Sequence, residues 1–279
     1  MLTIAVTGAN GYIGRHVVSE LCDMGVNVIA LDLSSNEGDL RANWMLRDIL
    51  DPAFDPKKVF PLVPDVCVHL AWRNGFDHNA LSHMADLSSH YLFLNKLVDY
   101  GVKRIAVMGS MHEIGYWEGA ISEDTPCNPL SPYGVSKDAL RRALFIDAGH
   151  KDFSLQWLRG FYIYGDDCKS QSIFGKLLRA ANAGEKSFPF TTGKNRFDFT
   201  PVSVLAHMIA CAVIQDEIVG IINCCSGQPV SLSDQIECFI RDNNLDIKLE
   251  YGAFPDRPYD SPAVWGNPSK INAILRQNG

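Results

Sequence analysis

Within its first fourteen residues the chain joins a short apolar run to three closely spaced glycines, and this pairing constrains the fold more than any other stretch. Residues 2–6 are β-prone and feed Thr7-Gly8-Ala9-Asn10-Gly11-Tyr12-Ile13-Gly14, after which a helical pattern runs from about Tyr12 to about Met24. Glycines in this spacing let a strand turn sharply, bring bare backbone near a pyrophosphate and let the following helix pack closely on the sheet. The helix start offers unpaired N–H groups and the positive end of its dipole to phosphate. A tight turn in any α/β protein uses similar glycines. Here the second strand pattern, residues 26–31, ends in Asp32, where an acidic side chain hydrogen-bonds a ribose diol. The two features together predict a dinucleotide site.

At 279 residues the chain can bury a large core, as one broad α/β domain or one domain with a small lobe. Its net charge of −7 argues against nucleic acid as the main partner, since a surface for phosphate backbones should be basic. No run of apolar residues is long enough to span a membrane. The N-terminus enters a strand directly, without a basic region or cleavage site, which predicts a cytoplasmic protein. The eight cysteines form no CxxC pair and sit mostly in apolar runs, so buried free thiols are expected rather than disulfides or a metal site.

Strand and helix patterns then alternate. The polar loop after Asp32 opens without an arginine. A 2′-phosphate would meet the Asp32 carboxylate with no cation beside it, so NAD is favoured over NADP. Residues 44–49 read as a strand edge, where Asp48 either reaches an adenine amine or is an ordinary loop carboxylate. Residues 65–71 are nearly all apolar and read as a buried parallel strand. A helix is expected over residues 81–100, closed by Gly101. Residues 103–110 form another strand with Ser110 at its carboxyl end, where ligands of open parallel sheets collect.

A second constellation is Pro132-Tyr133-Gly134-Val135-Ser136-Lys137. On a helix, Tyr133 and Lys137 lie four apart and share a face. An ammonium beside a phenol is expected to lower the phenol pKa, making tyrosine an acid/base near neutrality. As an isolated pattern this is most often a plain surface pair. It follows a dinucleotide fingerprint in the same chain, however, and Ser110 precedes it at a strand end, so the set predicts hydride transfer with tyrosine carrying the proton.

With these pieces in place, the chain resembles the extended short-chain dehydrogenases/reductases of the NAD-dependent epimerase/dehydratase type, which modify nucleotide sugars. The likeness is carried by TGANGYIG, Asp32, residues 47–50 (RDIL), His69-Leu70-Ala71, Ser110, residues 128–137 (NPLSPYGVSK), residues 158–165 (LRGFYIYG) and residues 195–202 (NRFDFTPV). It implies a Rossmann-type doubly wound parallel sheet with a small C-terminal substrate-binding lobe. Residues 1–165 would form the NAD domain carrying the Ser/Tyr/Lys site, and residues 166–279 mainly the lobe, with a return strand near 219–224. It implies that Gly8, Asn10, Gly11, Tyr12, Ile13, Gly14, Asp32, Asp48, Ile49, Leu70, Ala71, Trp72 and Phe161 hold the NAD together with Tyr133 and Lys137. Ser110, Tyr133, Lys137 and Glu113 are the catalytic candidates. Met111, Tyr162, Arg196 and Arg257 are the substrate-binding ones, the two arginines clamping the diphosphate of a dTDP-, UDP- or GDP-linked sugar. No metal is implied. Relatives that pair through the Tyr133 helix and its neighbour imply a homodimer.

The chain departs from this pattern in three places. Trp72 stands where a small residue is common and narrows the space beside the nicotinamide. Tyr162 stands where asparagine is frequent. Aligned without a gap, Met111 rather than Ser110 falls on the catalytic hydroxyl, with His112 and Glu113 where dehydratases carry an acidic pair. Ser110 is preferred because a thioether cannot hydrogen-bond a substrate alcohol. Three functions follow in order of preference. The first is C4 chemistry on a nucleotide-linked hexose, leaning to a 4-keto-6-deoxyhexose reductase, with 4-epimerase or dehydratase as alternatives. The second is a dehydrogenase of a free sugar or small alcohol. The third is a non-catalytic dinucleotide sensor.

Overall fold

A computed structural model describes residues 1–35, 38–165, 170–256 and 260–278. Seven parallel strands form the central sheet, in the order Gly220–Cys224, Ser154–Gly160, Arg104–Ser110, Val66–His69, Thr3–Thr7, Asn27–Asp32, Asn43–Leu46. The first strand pairs with its two neighbours in register, Thr7 lying beside both Leu31 and His69. Chain order therefore reverses at the strand Thr3–Thr7, and ligands of such sheets bind outside the carboxyl ends at that reversal. The strand Val66–His69 is buried at every position, as expected where helices cover both faces of a parallel sheet.

The first helix, Gly14–Asp23, buries Gly14, Val17, Val18 and Leu21 on one stripe. On that face its core merges with Leu205, Ile209 and Val213 of the helix Val202–Ile214 and with Ile271 and Ile274 of the helix Ser269–Asn278. The other face holds a second core around Phe93, Leu97, Leu144 and Trp157. The predicted division at residue 165 is therefore crossed in both directions. The helices Val202–Ile214 and Ser269–Asn278 pack on the main sheet, while the short strand Gly119–Ile121 joins the lobe's four-stranded sheet with Ala263–Gly266, Arg196–Phe197 and Val230–Ser231.

The helix expected over residues 81–100 is two, Ser82–Ala85 and Leu87–Tyr100, meeting at Asp86. The second ends at Gly101 in the left-handed region (φ 118°), whose N–H returns to the Leu97 carbonyl, as the glycine foretold. The seven described cysteines are all free. Among the described residues no helix is long and apolar enough to cross a membrane.

Candidate active site

A cavity of about 1300 Å³ opens at the carboxyl end of the sheet, between the Rossmann core and the lobe. One end of it is built by the glycine turn. Gly8 has φ +66°, and a Cβ there would lie 2.6 Å from the Ala71 amide nitrogen. A Cβ on Gly14 would lie 1.9 Å from the Gly8 carbonyl oxygen, so the helix can start this close to the strand only without side chains. Gly8, Gly11, Tyr12, Ile13 and Gly14 line the cavity, with Asp32, Asp48 and Ile49 beyond them. The first helix has no side-chain cap at its N-terminus, and its first turn closes on the glycine turn itself, the Arg15 amide donating to the Gly11 carbonyl at 3.2 Å and the Val17 amide to the Ile13 carbonyl at 3.1 Å. Asn10 is not on the wall. Its amide donates to Asp32 Oδ2 at 2.9 Å and its Nδ2 to Ser34 Oγ at 2.8 Å, so it braces the turn against the Asp32 carboxylate. This glycine cradle, unfilled by any Cβ and ending at a fixed acidic residue, fits a pyrophosphate with its ribose.

At the reactive end, Ser110 ends the strand Arg104–Ser110 and Tyr133 and Lys137 lie on the helix Pro132–Ala148. The helix begins with proline at its first position, and Ser131 Oγ accepts from the Gly134 amide at 3.2 Å. Gly134 permits its close approach, since a Cβ there would lie 2.3 Å from the His112 carbonyl. Ser110, Met111, Tyr133 and Lys137 all line the cavity. The Ser110 hydroxyl acts on the Tyr133 phenol, lowering its pKa, while its Oγ accepts from the His112 amide at 3.3 Å.

The expected effect of Lys137 on Tyr133 is not seen. Burial pushes the Tyr133 phenol up to about 12, against a hydrogen bond with Ser110 that lowers it. Lys137 is itself pushed down to about 7 by burial, with the Glu113 carboxylate acting the other way. The reason is where the ammonium points: it donates to the Met108 carbonyl at 2.8 Å and lies 3.7 Å from the centre of the Trp72 ring.

Glu113 needs a larger correction. It is fully buried and off the cavity wall. One oxygen accepts from the Ser110 amide at 2.6 Å and from Trp157 Nε1 at 2.9 Å, and the other meets Arg159 at 3.4 Å and Arg141 at 3.6 Å. It closes a capping box on the single 3₁₀ turn Met111–Glu113. A carboxylate so enclosed is not placed to take a substrate proton.

Arg196 is also redirected. Its neighbours Asn195 and Phe197 line the cavity, so the alternation along the strand Arg196–Phe197 turns Arg196 outward, where it donates to the Pro229 carbonyl at 2.8 Å. Arg257 lies outside the described residues. Tyr162 lines the cavity and stacks on Phe197 with ring centres 4.2 Å apart. Leu70, Ala71, Trp72 and Phe161 lie on the wall.

Residues that the sequence did not point to crowd the same end. The His78 ring stacks on Tyr133 at 4.9 Å and 9°, and its carbonyl accepts from the Tyr133 amide at 3.1 Å. His90 lines the cavity and shares a hydrogen bond of 3.0 Å with His69, which in turn meets Thr7 Oγ1 at 2.8 Å. Burial drives the imidazolium form of His90 down to about 3 and that of His69 well below the ordinary range, so both rings are neutral. The sole signal in the sequence was the density of histidines at 69, 78, 83 and 90. Among the described residues no group of three or more His, Cys, Asp or Glu side chains is placed to hold a metal.

A doubly wound parallel sheet, a glycine cradle ending at Asp32, and a serine, tyrosine and lysine at the sheet's carboxyl edge together define a dinucleotide-dependent enzyme of the short-chain dehydrogenase/reductase class. The chain belongs to the NAD dependent epimerase/dehydratase family, which it matches over residues 4–225, and its cofactor is NAD. It is 43% identical over 269 residues to the dTDP-6-deoxy-L-talose 4-dehydrogenase (NAD(+)) of Aggregatibacter actinomycetemcomitans, an alignment covering 95% of this chain and 99% of the relative. The UDP-glucose 4-epimerase of Thermotoga maritima, solved with UDP-glucose, superposes with a TM-score of 0.82 at 22% identity, covering 98% of this chain and 92% of the other. The UDP-glucuronic acid 4-epimerase of Bacillus cereus gives 0.77 at 21% identity, covering 99% and 93%. These two likenesses speak to the fold.

Proposed function

We propose that this chain is an NAD-dependent oxidoreductase acting at C4 of a dTDP-linked 6-deoxyhexose, interconverting the 4-hydroxyl and the 4-ketone. The end-to-end 43% identity with the 6-deoxy-L-talose 4-dehydrogenase supports the substrate class. The placement of Glu113 carries the choice of reaction. A 4,6-dehydratase or a 5-epimerase needs a base for the C5 proton, and the sole carboxylate of residues 109–116 is sealed against Trp157 and Arg159. Chemistry confined to C4 needs no such base.

In this reading NAD held by the glycine turn and Asp32 would supply or accept the hydride at C4. Tyr133 gives or takes the proton of the C4 oxygen, and Ser110 donates a hydrogen bond to that oxygen as charge develops on it. Lys137 supplies positive charge beside them. Met111, Phe161 and Tyr162 offer an apolar wall to a sugar lacking its 6-hydroxyl. Asp32 holds the adenosine ribose.

We also propose a homodimer and a cytoplasmic location. Two neighbouring helices, Leu87–Tyr100 and Pro132–Ala148, carry the exposed apolar residues Leu92, Val135 and Ile146, which supports a paired-helix contact. The free thiols suit a reducing compartment.

The test is a reaction of the pure protein with a dTDP-4-keto-6-deoxyhexose and NADH in D₂O. The expected outcome is one NADH consumed per 4-hydroxyl formed, with no deuterium at C5. Deuterium at C5 would refute C4-only chemistry. Inversion at C4 of a 4-hydroxy substrate without net change in NADH would instead make the chain a 4-epimerase.

A further inference from the structure

We propose that Trp72 is a positioning residue for Lys137, its indole face keeping the lysine protonated and in place at the cavity wall. This rests on the reading of Lys137 given above, and adds to it a residue that replaces the small one usual at this position.

Lys137 is 3% exposed and forms no ion pair with any described carboxylate. A buried ammonium without compensation gives up its proton. Two groups compensate it: the Met108 carbonyl at 2.8 Å and the Trp72 ring, whose centre is 3.7 Å from Nζ. Indole presents the most negative face of the aromatic side chains, and its attraction for a cation grows when water is excluded.

The indole is held so that it can serve this purpose. Its Nε1–H donates to His83 Nδ1 at 3.0 Å, and His83 Nε2–H donates to the Asp77 carbonyl at 2.7 Å, a chain of bonds that sets the His83 tautomer. The His90 ring stacks on Trp72 at 4.4 Å and 10°. Tyr133 meets Trp72 edge-on at 6.3 Å. One ring thus touches the proposed proton carrier and its cation together.

The titratable groups around Lys137 come from several elements. Tyr133 lies on its own helix, His90 on the helix Leu87–Tyr100 and His69 on the strand Val66–His69, while Glu113 acts from the 3₁₀ turn. Both histidines are neutral, so they add no repulsion near neutral pH. An aliphatic side chain at 72 would fill the same space and leave the ammonium with the Met108 carbonyl and the more distant Glu113 charge.

The experiment compares Trp72→Leu, Trp72→Phe and Lys137→Met with the parent. Lys137 is titrated directly by NMR of ¹⁵N-lysine-labelled protein without cofactor, and kcat/KM for NADH-driven reduction is followed against pH. Trp72→Leu is expected to move the Lys137 titration and the alkaline limb together to lower pH, by about one unit. Trp72→Phe, with a weaker face, should fall between, and it stands in if the leucine variant does not fold. Unchanged titration in both Trp72 variants, with Lys137→Met inactive, would overturn this inference and leave the proposed function standing. Full turnover by Lys137→Met would overturn the proposed role of Lys137 itself, whatever Trp72 does.

Discussion

The Ser110 amide donates to the Glu113 carboxylate at 2.6 Å, and this bond ties the end of a central strand to a buried ion cluster. Through Glu113 the strand end is linked to Trp157 and Arg159 on the neighbouring strand and to Arg141 on the helix that carries Tyr133 and Lys137. Ser110 is thereby held from behind, while its Oγ accepts from the His112 amide at 3.3 Å.

Glu113→Gln should act on stability. Removing one partner of a buried charge cluster leaves Arg159, which is fully buried, uncompensated, at a cost of about 3–5 kcal/mol. Urea denaturation should show this loss, while kcat of the protein that remains folded changes little. Loss of turnover at unchanged stability would return Glu113 to the chemistry.

Tyr133→Phe removes the transferable proton and little volume. Turnover should fall about 10²–10⁴-fold, the usual contribution of a general acid–base group, with NAD affinity retained by calorimetry. Near-parental turnover would refute the proposed proton carrier.

The pH dependence follows from two opposite shifts. Tyr133, raised to about 12, stays a phenol through the working range and can donate its proton to a ketone. Lys137, lowered to about 7, is charged below that pH and loses its charge as pH rises through it. For ketone reduction, kcat/KM should therefore be flat on the acid side and fall above about pH 7. That quantity reports ionisations of the free enzyme. A profile rising from pH 6 to pH 9 would contradict it.

NAD(H) should bind about 10²-fold more tightly than NADP(H), since a 2′-phosphate would lie against Asp32, a like-charge contact worth several kcal/mol. The carboxylate cannot swing away easily, being held by the Asn10 amide at 2.9 Å and the Leu33 amide at 2.7 Å. Asp32→Asn should narrow the gap. Equal affinity of the parent for both cofactors, measured by fluorescence titration, would defeat this reading of Asp32.

Arg196→Ala should leave KM for the nucleotide sugar within about twofold, as for other surface changes away from special features. The family likeness implied a phosphate clamp, whereas the side chain is turned to the Pro229 carbonyl. A large rise in KM, with kcat unchanged, would show that the arginine turns inward when substrate binds.

Much of the architecture was legible because it is local. A run of apolar residues before a GxxGxxG turn, an acid at the next strand end, and tyrosine and lysine one helical turn apart each specify their geometry within a few residues. The likeness to one family then supplied the doubly wound parallel sheet and the cofactor, and the structure and the family match agree with both.

What local pattern did not decide was the direction in which individual side chains point. Arg196 sits on a strand of two residues, too short for alternation to be read from sequence. Glu113 looks like a free carboxylate until Trp157 and Arg159, 44 and 46 residues away in sequence, close over it. Lys137 lies four residues from Tyr133, yet its ammonium goes to Met108 and Trp72 from other elements. The amino-acid sequence by itself determined the doubly wound fold, the dinucleotide cradle and the residues available for chemistry, because backbone geometry and hydrophobic period are set over short spans. Only the tertiary structure decided which charges are buried, which are paired and which face the cavity, because burial and charge pairing depend on neighbours that folding brings from distant parts of the chain.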